Sequence, residues 1–299
     1  MENITEIIRI GRFRFLIAGF LLFSMGTLLA AYRGAAFSLN RFLLGYLTMG
    51  LGHLSVSYSN EYFDRDSDRF GTPSAIAGGS GVLVRRPDLA VAAYRLGILL
   101  IALSLCAGLI FYILFPDSLS FLALALFGNL LGWYYSAPPL RFVARGWGEA
   151  ATAIGIGGVV PVMGYLVIAE GIDPAFALFC IPLFCYGCYF IMSVEIPDAE
   201  ADRRAGKRTL VAIRGRQFGQ QVIIISALAA TLWYLMLSAF IGGFLAVALF
   251  SLIPLAAGIR GYPATQTAVV QNHRMQENVM AVALFCLLAD GFLLMNIIP

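Results

Sequence analysis

Charge of either sign is scarce in this chain. Asp, Glu, Lys and Arg make up 12% of 299 residues, about half the share that soluble domains carry. That excludes a conventional water-exposed globular surface. Lysine is nearly absent, Lys207 being the single example. Alternation of apolar and polar residues is also missing, which excludes an outer-membrane β-barrel. Cysteine is sparse: Cys106, Cys180, Cys185, Cys188 and Cys286 all fall in apolar runs. Cys185-Tyr-Gly-Cys188 has a metal-like spacing, but no further ligands stand near it. The five read as small buried hydrophobes, and no disulfide framework is implied.

What the chain has instead is unbroken hydrocarbon. It is 60% hydrophobic, with a mean hydropathy of +0.83, so it reads as an all-α integral membrane protein and a single domain over 1–299. The first apolar run follows Arg9, Arg12 and Arg14 and is about 18 residues long, enough for a retained span rather than a cleaved signal. Windows long enough to cross a bilayer fall at roughly 13–32, 42–60, 91–115, 118–136, 149–169, 174–196, 218–239, 243–260 and 278–298. The run from Phe218 to Ile259 holds no charge, and Gly242-Gly243 is its natural break. About nine transmembrane helices are expected.

Basic residues set the orientation. All but Arg33 and Arg41 fall in the N-terminal segment or in the loops after even-numbered windows. The expected N-terminus is therefore cytoplasmic, in a multi-pass protein of the cell membrane.

Two acidic stretches break the apolar pattern. Glu61-Tyr-Phe-Asp64-Arg-Asp-Ser-Asp68-Arg69 can be laid over Glu195-Ile-Pro-Asp198-Ala-Glu-Ala-Asp202-Arg203, 134 residues later. Four windows separate the copies, so both face the same side, and a parallel repeat of four helices plus four, with one added, is a natural reading. On one helix, Asn60, Asp64 and Asp68 would project from one face. Two DxxxD pairs facing across a cavity suit Mg²⁺, which takes one or two carboxylates plus waters and phosphate oxygens. The bridging ligand would be a diphosphate. Asp66 and Glu200 point off the shared face and read as solvated residues paired with neighbouring arginines.

These stretches resemble the aspartate-rich motifs of the UbiA superfamily of intramembrane aromatic prenyltransferases, Asn60-Glu-Tyr-Phe-Asp64-Arg-Asp-Ser-Asp68 and Asp198-Ala-Glu-Ala-Asp202. Further similarities are Gly78-Gly-Ser-Gly-Val-Leu83, Tyr135-Ser-Ala-Pro-Pro-Leu-Arg141, Arg145-Gly-Trp-Gly-Glu149 and Gly206-Lys-Arg-Thr-Leu210. Within the superfamily they look most like the branch that prenylates 1,4-dihydroxy-2-naphthoate for menaquinone. The N-x-P-x-R-P-like run of the 4-hydroxybenzoate and geranylgeranylglyceryl-phosphate branches is absent; Phe70-Gly-Thr-Pro-Ser-Ala75 stands there. The family's Arg-Pro near the first helix appears as Arg12-Phe13, and its Tyr-x-x-x-Lys after the fourth as Tyr135 followed by Pro139, with Arg141 the nearest base.

The resemblance implies nine helices around an apolar cavity and transfer of a polyprenyl group from its diphosphate to an aromatic acceptor. It implies Mg²⁺ on Asp64, Asp68, Asp198 and Asp202, with Asn60 beside them. Arg141, Lys207 and Arg208 would meet the diphosphate, Tyr135 would offer its ring face to an allylic cation, and Glu195 would line the substrate site. The implied partners are a polyprenyl diphosphate, an aromatic acceptor and the bilayer, and none is a nucleic acid. Alternative acceptors are 4-hydroxybenzoate, homogentisate and geranylgeranylglyceryl phosphate. The alternative from another class is a cation-coupled transporter, which would place its ion site near the midplane. Asp290, in the last window, is expected to have a polar partner. His53 and Asn129 read as structural, and Glu149 as a residue favoured by a helix N-terminus.

Overall fold

The computed structural model describes residues 2–74, 76–241, 244–262 and 268–297. Among them there is no strand, and each expected window falls on helix. A short amphipathic α1 (Glu2–Ile10) leads into α2 (Arg14–Tyr32), α3 (Leu39–Asp64), α4 (Ala90–Leu114) and α5 (Leu119–Ser136). After these come α6 (Gly148–Leu166), α7 (Pro174–Arg204), α8 (Arg216–Ser238), α9 (Phe244–Arg260) and α10 (Ala268–Ile297). Seven of these segments are long and apolar enough to cross a membrane by length and composition. The other three are the short α1, α3, 26 residues long with a polar end, and α9, which is shorter than a span. The chain is thus a multi-pass membrane protein. The expected break at Gly242-Gly243 lies outside the described residues.

Local chemistry explains the ends and interruptions. Ser38 caps α3 by accepting from the Arg41 amide. Asp173 caps α7 in the same way through Phe176 N at 2.9 Å, with Pro174 at the first turn. Within α6 the helix widens to a π turn over Gly155–Val159, just ahead of Pro161, which lacks an amide to donate.

The helices close into a ring. α3 packs chiefly on α4, α7 on α8 and on α6, and α10 returns against α2. Lipid-facing positions stay apolar, among them Ile17, Leu99, Ile113, Ile225 and Leu232. The main core, with Phe23, Phe179, Tyr234 and Phe285 at its centre, fills the bundle between α2, α6, α7, α8 and α10. Two smaller clusters support the acidic ends. Ile191, Ile196, Val211 and Ile223 back the end of α7, and Ile10, Tyr58, Val82 and Leu89 pin the loop after α3.

The expectation of one continuous helical face for Asn60, Asp64 and Asp68 does not hold. α3 ends at Asp64, and Asp68 opens a separate 3-10 turn, Asp68–Phe70. The second motif behaves differently. The window expected to end near 196 continues to Arg204, so Asp198 and Asp202 share one helix despite Pro197. The solvated residues stand as expected, Asp66 pairing with Arg69 at 3.1 Å and Glu200 with Arg204 at 3.2 Å.

A close helix crossing between α2 and α6 is made by glycines. A Cβ on Gly26 would lie 2.0 Å from the Pro161 carbonyl oxygen, and one on Gly164 would lie 1.9 Å from that of Phe23. Thr27 Oγ1 donates to Gly164 O across the same contact at 2.7 Å. This small-residue approach is how helices gain contact where lipid is as apolar as the interface. Gly164→Leu is expected to push α2 and α6 apart and destabilise the protein by about 1–3 kcal/mol or more. Thermal unfolding in detergent measures this, and an unchanged midpoint would contradict the packing described.

Candidate active site

Inside the ring lies a cavity of about 440 Å³, within the range of small-molecule sites. Its deep wall is apolar, formed by residues such as Leu21, Leu22, Met49, Val160 and Met163. Its mouth is polar and lined by Asn60, Glu61, Asp64, Asp68, Asp198 and Asp202, with Arg12 and Lys207. The two acidic motifs, far apart in sequence, therefore converge on one opening. Tyr135 and Glu195 line the cavity below it.

The carboxylates are held individually. Lys207 Nζ stands 3.2 Å from Asp64 Oδ2 and 3.9 Å from Asp202 Oδ1, so one ammonium joins the two motifs. Asp64 Oδ2 also accepts from Ser136 Oγ at 3.2 Å, and Asp202 Oδ2 from Thr209 Oγ1 at 3.3 Å. The loop after α3 supplies the remaining donors. Gly78 N donates to Asp198 Oδ2 at 2.8 Å, and Ser80 gives both its amide and its hydroxyl to Glu61. Gly78, Gly79 and Gly81 all have positive φ, the conformation that folds this segment back over the acids and that suits glycine.

Burial raises the Asp68 carboxyl to about 7; nearby Lys207 opposes the rise, while Asp64, Glu61 and Asp198 add to it. Burial alone would lower the Lys207 ammonium, but Asp64, Asp202 and Asp68 outweigh it and hold the pKa above the ordinary lysine value. A divalent cation among these oxygens would favour the ionised carboxylates.

The donor set fits such a cation. It is all oxygen, and Asn60 Oδ1 and Asp64 Oδ1 are buried without hydrogen-bond partners. Among the described residues no three acidic, histidine or cysteine side chains come together as a group that could hold a metal ion by themselves. An open arrangement suits Mg²⁺, which completes its shell with waters and phosphate oxygens.

Two expected site residues are not brought to this cavity. Arg141 is exposed and lines a separate surface pocket with Arg65 and Arg204, because the turn after α5 carries it outward with φ 45°. Arg208 is exposed next to buried Thr209, its backbone amide turned to Ala144 O at 3.3 Å. Conversely, sequence reasoning missed two mouth residues. Glu61 was legible as the repeat equivalent of Glu195. Arg12 stood at the family's Arg-Pro position, but Phe13 in place of the proline weakened that signal; the fold turns it inward, with φ 44° and Nη2 donating to Ile76 O at 3.2 Å. Glu149, read as a helix-start acid, also accepts from the Leu210 amide. Asn129 and His53, both read as structural, line the cavity, and Asn129 Nδ2 donates to Ser104 Oγ at 3.0 Å. The partner expected for Asp290 is not seen among the described residues, and its Oδ1 is buried without a hydrogen bond.

The structure is a helical membrane bundle with an apolar cavity whose lining includes two converging acidic motifs. The sequence profile of the UbiA prenyltransferase family matches residues 20–289, and the chain belongs to that family. A 1,4-dihydroxy-2-naphthoate octaprenyltransferase of Bacillus subtilis (strain 168) is 26% identical over 188 residues, 60% of this chain and 57% of that enzyme. The fold is that of a UbiA homolog from Archaeoglobus fulgidus solved with GPP and Mg²⁺. That structure is 17% identical with a TM-score of 0.73, and the match covers 96% of this chain and 99% of that one. A UbiA homolog from Aeropyrum pernix K1, in its apo form, is 15% identical with a TM-score of 0.67, over 93% and 97% of the two chains.

Gly79 offers a clean test of the loop's role. A Cβ there would sit 2.5 Å from Asp68 Oδ2 and 3.1 Å from Glu61 Oε1. Gly79→Ala is expected to displace Asp68 and weaken Mg²⁺ binding by roughly 10-fold or more, as positional losses around ligands do. Titration calorimetry reads this, and wild-type affinity would mean that Asp68 does not contribute to the site.

Proposed function

We propose that this protein transfers a polyprenyl group from its diphosphate to an aromatic acceptor at a membrane, and that the acceptor is a quinone precursor such as 1,4-dihydroxy-2-naphthoate. One observation carries the reading. Two acidic motifs from different helices meet, with one lysine between them, at the polar mouth of an otherwise apolar cavity. A prenyl diphosphate has the matching polarity, and each methylene seated in the apolar part contributes about 0.8 kcal/mol.

Asp64, Asp68, Asp198 and Asp202, with Asn60, would hold Mg²⁺. The metal, when bound, neutralises charge on the departing diphosphate. Lys207 is placed to pass from the carboxylates to the diphosphate, and Arg12 faces the same opening. Tyr135 lies on the cavity wall below the acids, where its ring face can stabilise an allylic cation. The apolar wall keeps water from quenching that cation before the ring attacks. With dihydroxynaphthoate the chain enters at the carbon that bears the carboxylate, which leaves as CO₂. The match to the Bacillus subtilis enzyme supports this acceptor. The distribution of arginines supports a cytoplasmic mouth in the cell membrane.

The test uses purified protein with geranylgeranyl or longer diphosphates and a panel of dihydroxynaphthoate, 4-hydroxybenzoate, homogentisate and geranylgeranylglyceryl phosphate. Diphosphate release is expected only with Mg²⁺ and is expected to be fastest with dihydroxynaphthoate. Asp64→Ala combined with Asp198→Ala is expected to reduce turnover by at least about 10²–10³-fold. Intact turnover in that variant would remove the acids from the mechanism. Cation-coupled uptake into liposomes without diphosphate release would identify a carrier instead.

Lys207→Met tests the ammonium separately. It is expected to raise KM for the prenyl diphosphate and lower kcat/KM by roughly 10²-fold, the equivalent of a charge-assisted hydrogen bond of about 1.5–3 kcal/mol. Unchanged steady-state kinetics would confine Lys207 to a structural role.

A further inference from the structure

The two motifs are equivalent by sequence, and their deepest acids differ in one respect. Glu61 and Glu195 occupy matching places, three residues before Asp64 and Asp198. Glu61 is fully engaged by the amide and hydroxyl of Ser80. Glu195 is 5% exposed, and neither of its oxygens has a hydrogen-bond partner among the described residues. It nevertheless lines the cavity, with Tyr135 and Thr152. Among the described residues no ion pair reaches it, and Lys207 stands with Asp64 and Asp202 instead.

Its neighbour is a second acid. Glu149 lies against Glu195, with the Val211 amide nearby. Glu149 is 6% exposed and uses one oxygen to accept from Leu210 N, and its Oε2 has no partner. A buried carboxylate without donors is expensive in an apolar bundle. Sequence position adds a vertical coordinate: three residues of helix place Glu195 about 4.5 Å below Asp198, beneath the diphosphate end and beside the aromatic wall.

We infer that Glu195 is the proton acceptor for the hydroxyl of the aromatic acceptor, with Glu149 as its positioning residue. This rests on the prenyl-transfer reading and specifies its second substrate, which must present a hydroxyl group next to the carbon that is alkylated. As the ring carbon forms its bond to the prenyl C1 and the diphosphate departs, the O–H proton passes to Glu195 and the oxygen becomes a carbonyl. Where that carbon carries a carboxylate, loss of CO₂ returns the electron pair to the ring, and Glu195 gives the proton back to the oxygen. Where the carbon carries hydrogen, that C–H proton is lost as the phenol re-forms, so one proton is released overall. The asymmetry between Glu61 and Glu195 follows from this division of labour. One acid anchors the loop that covers the metal end, and the other is left free for the substrate.

The experiment compares a hydroxylated acceptor with its O-methyl ether, using wild type and Glu195→Gln. Wild type is expected to prefer the hydroxyl compound strongly. Glu195→Gln is expected to bind Mg²⁺ and a non-hydrolysable prenyl diphosphate analogue normally by calorimetry. Its kcat with the hydroxylated acceptor should fall about 10²–10⁴-fold, and its preference over the ether should disappear. A purely structural role would not remove that preference. Turnover of Glu195→Gln within about threefold of wild type, or a preserved preference, overturns the assignment and leaves prenyl transfer standing. If Glu195→Gln fails to bind the analogue, Glu195→Asp carries the comparison: a retained preference with reduced kcat supports the base, and a lost preference overturns it. Wild type that binds the analogue but turns over no hydroxylated aromatic overturns the prenyl-acceptor reading and this assignment with it.

Discussion

The structure depends on keeping several carboxylates at one mouth of a bundle that offers them almost no water. Desolvating a carboxylate costs several kcal/mol even after relaxation, and removing one partner of a buried pair costs about 3–5 kcal/mol. Asp64, Asp198 and Asp202 are tolerated because specific donors meet them, and Asp68 is eased by the nearby charge of Lys207. One lysine bridges the motifs, a glycine-rich loop turns its amides inward, and Ser136 and Thr209 add hydroxyls. The donors do not exhaust the acceptors. Asn60 Oδ1 and Asp64 Oδ1 are left buried without a hydrogen-bond partner among the described residues.

The rest of the fold serves this arrangement. Two small core clusters hold the acidic ends of α3 and α7 in place, while the larger core and the glycine crossing between α2 and α6 close the bundle around the cavity. The π turn in α6 contributes Gly155, Ile156 and Val159 to the cavity wall, an instance of local helix irregularity placed at a site. Below the charged mouth the lining turns apolar within a few residues. A ligand with a charged head and a hydrocarbon tail, as proposed, would find a matching medium at each end.

The repeat in the sequence does not survive as an exact repeat in space. The first motif is split between a helix end and a 3-10 turn, whereas the second lies on one helix that runs through Pro197. The difference comes from the loop after α3, which must leave the helix at Asp64 so that Gly78, Gly79 and Ser80 can return over the acids. Thus Asp68 reaches the site from the loop and Asp202 from the helix. Glu61 is spent on holding the loop, and Glu195 is not.

Composition and patterning alone determined much here. Hydrocarbon runs and scarce charge require a helical membrane protein, because a chain in lipid must satisfy its own backbone. The acids, being costly where they stand, marked their own importance. Lys207 stood out as the lone lysine, and in the structure its ammonium lies between the two motifs. Only tertiary structure decided which arginines face inward. Arg12 turns into the cavity, while Arg141 and Arg208 point away from it, although all three have similar sequence surroundings of basic and apolar residues. Their directions depend on backbone torsions set by distant packing, and local sequence holds no record of those. The same holds for Glu149 and Glu195, 46 positions apart in the chain, whose contact exists only because α6 and α7 pack side by side.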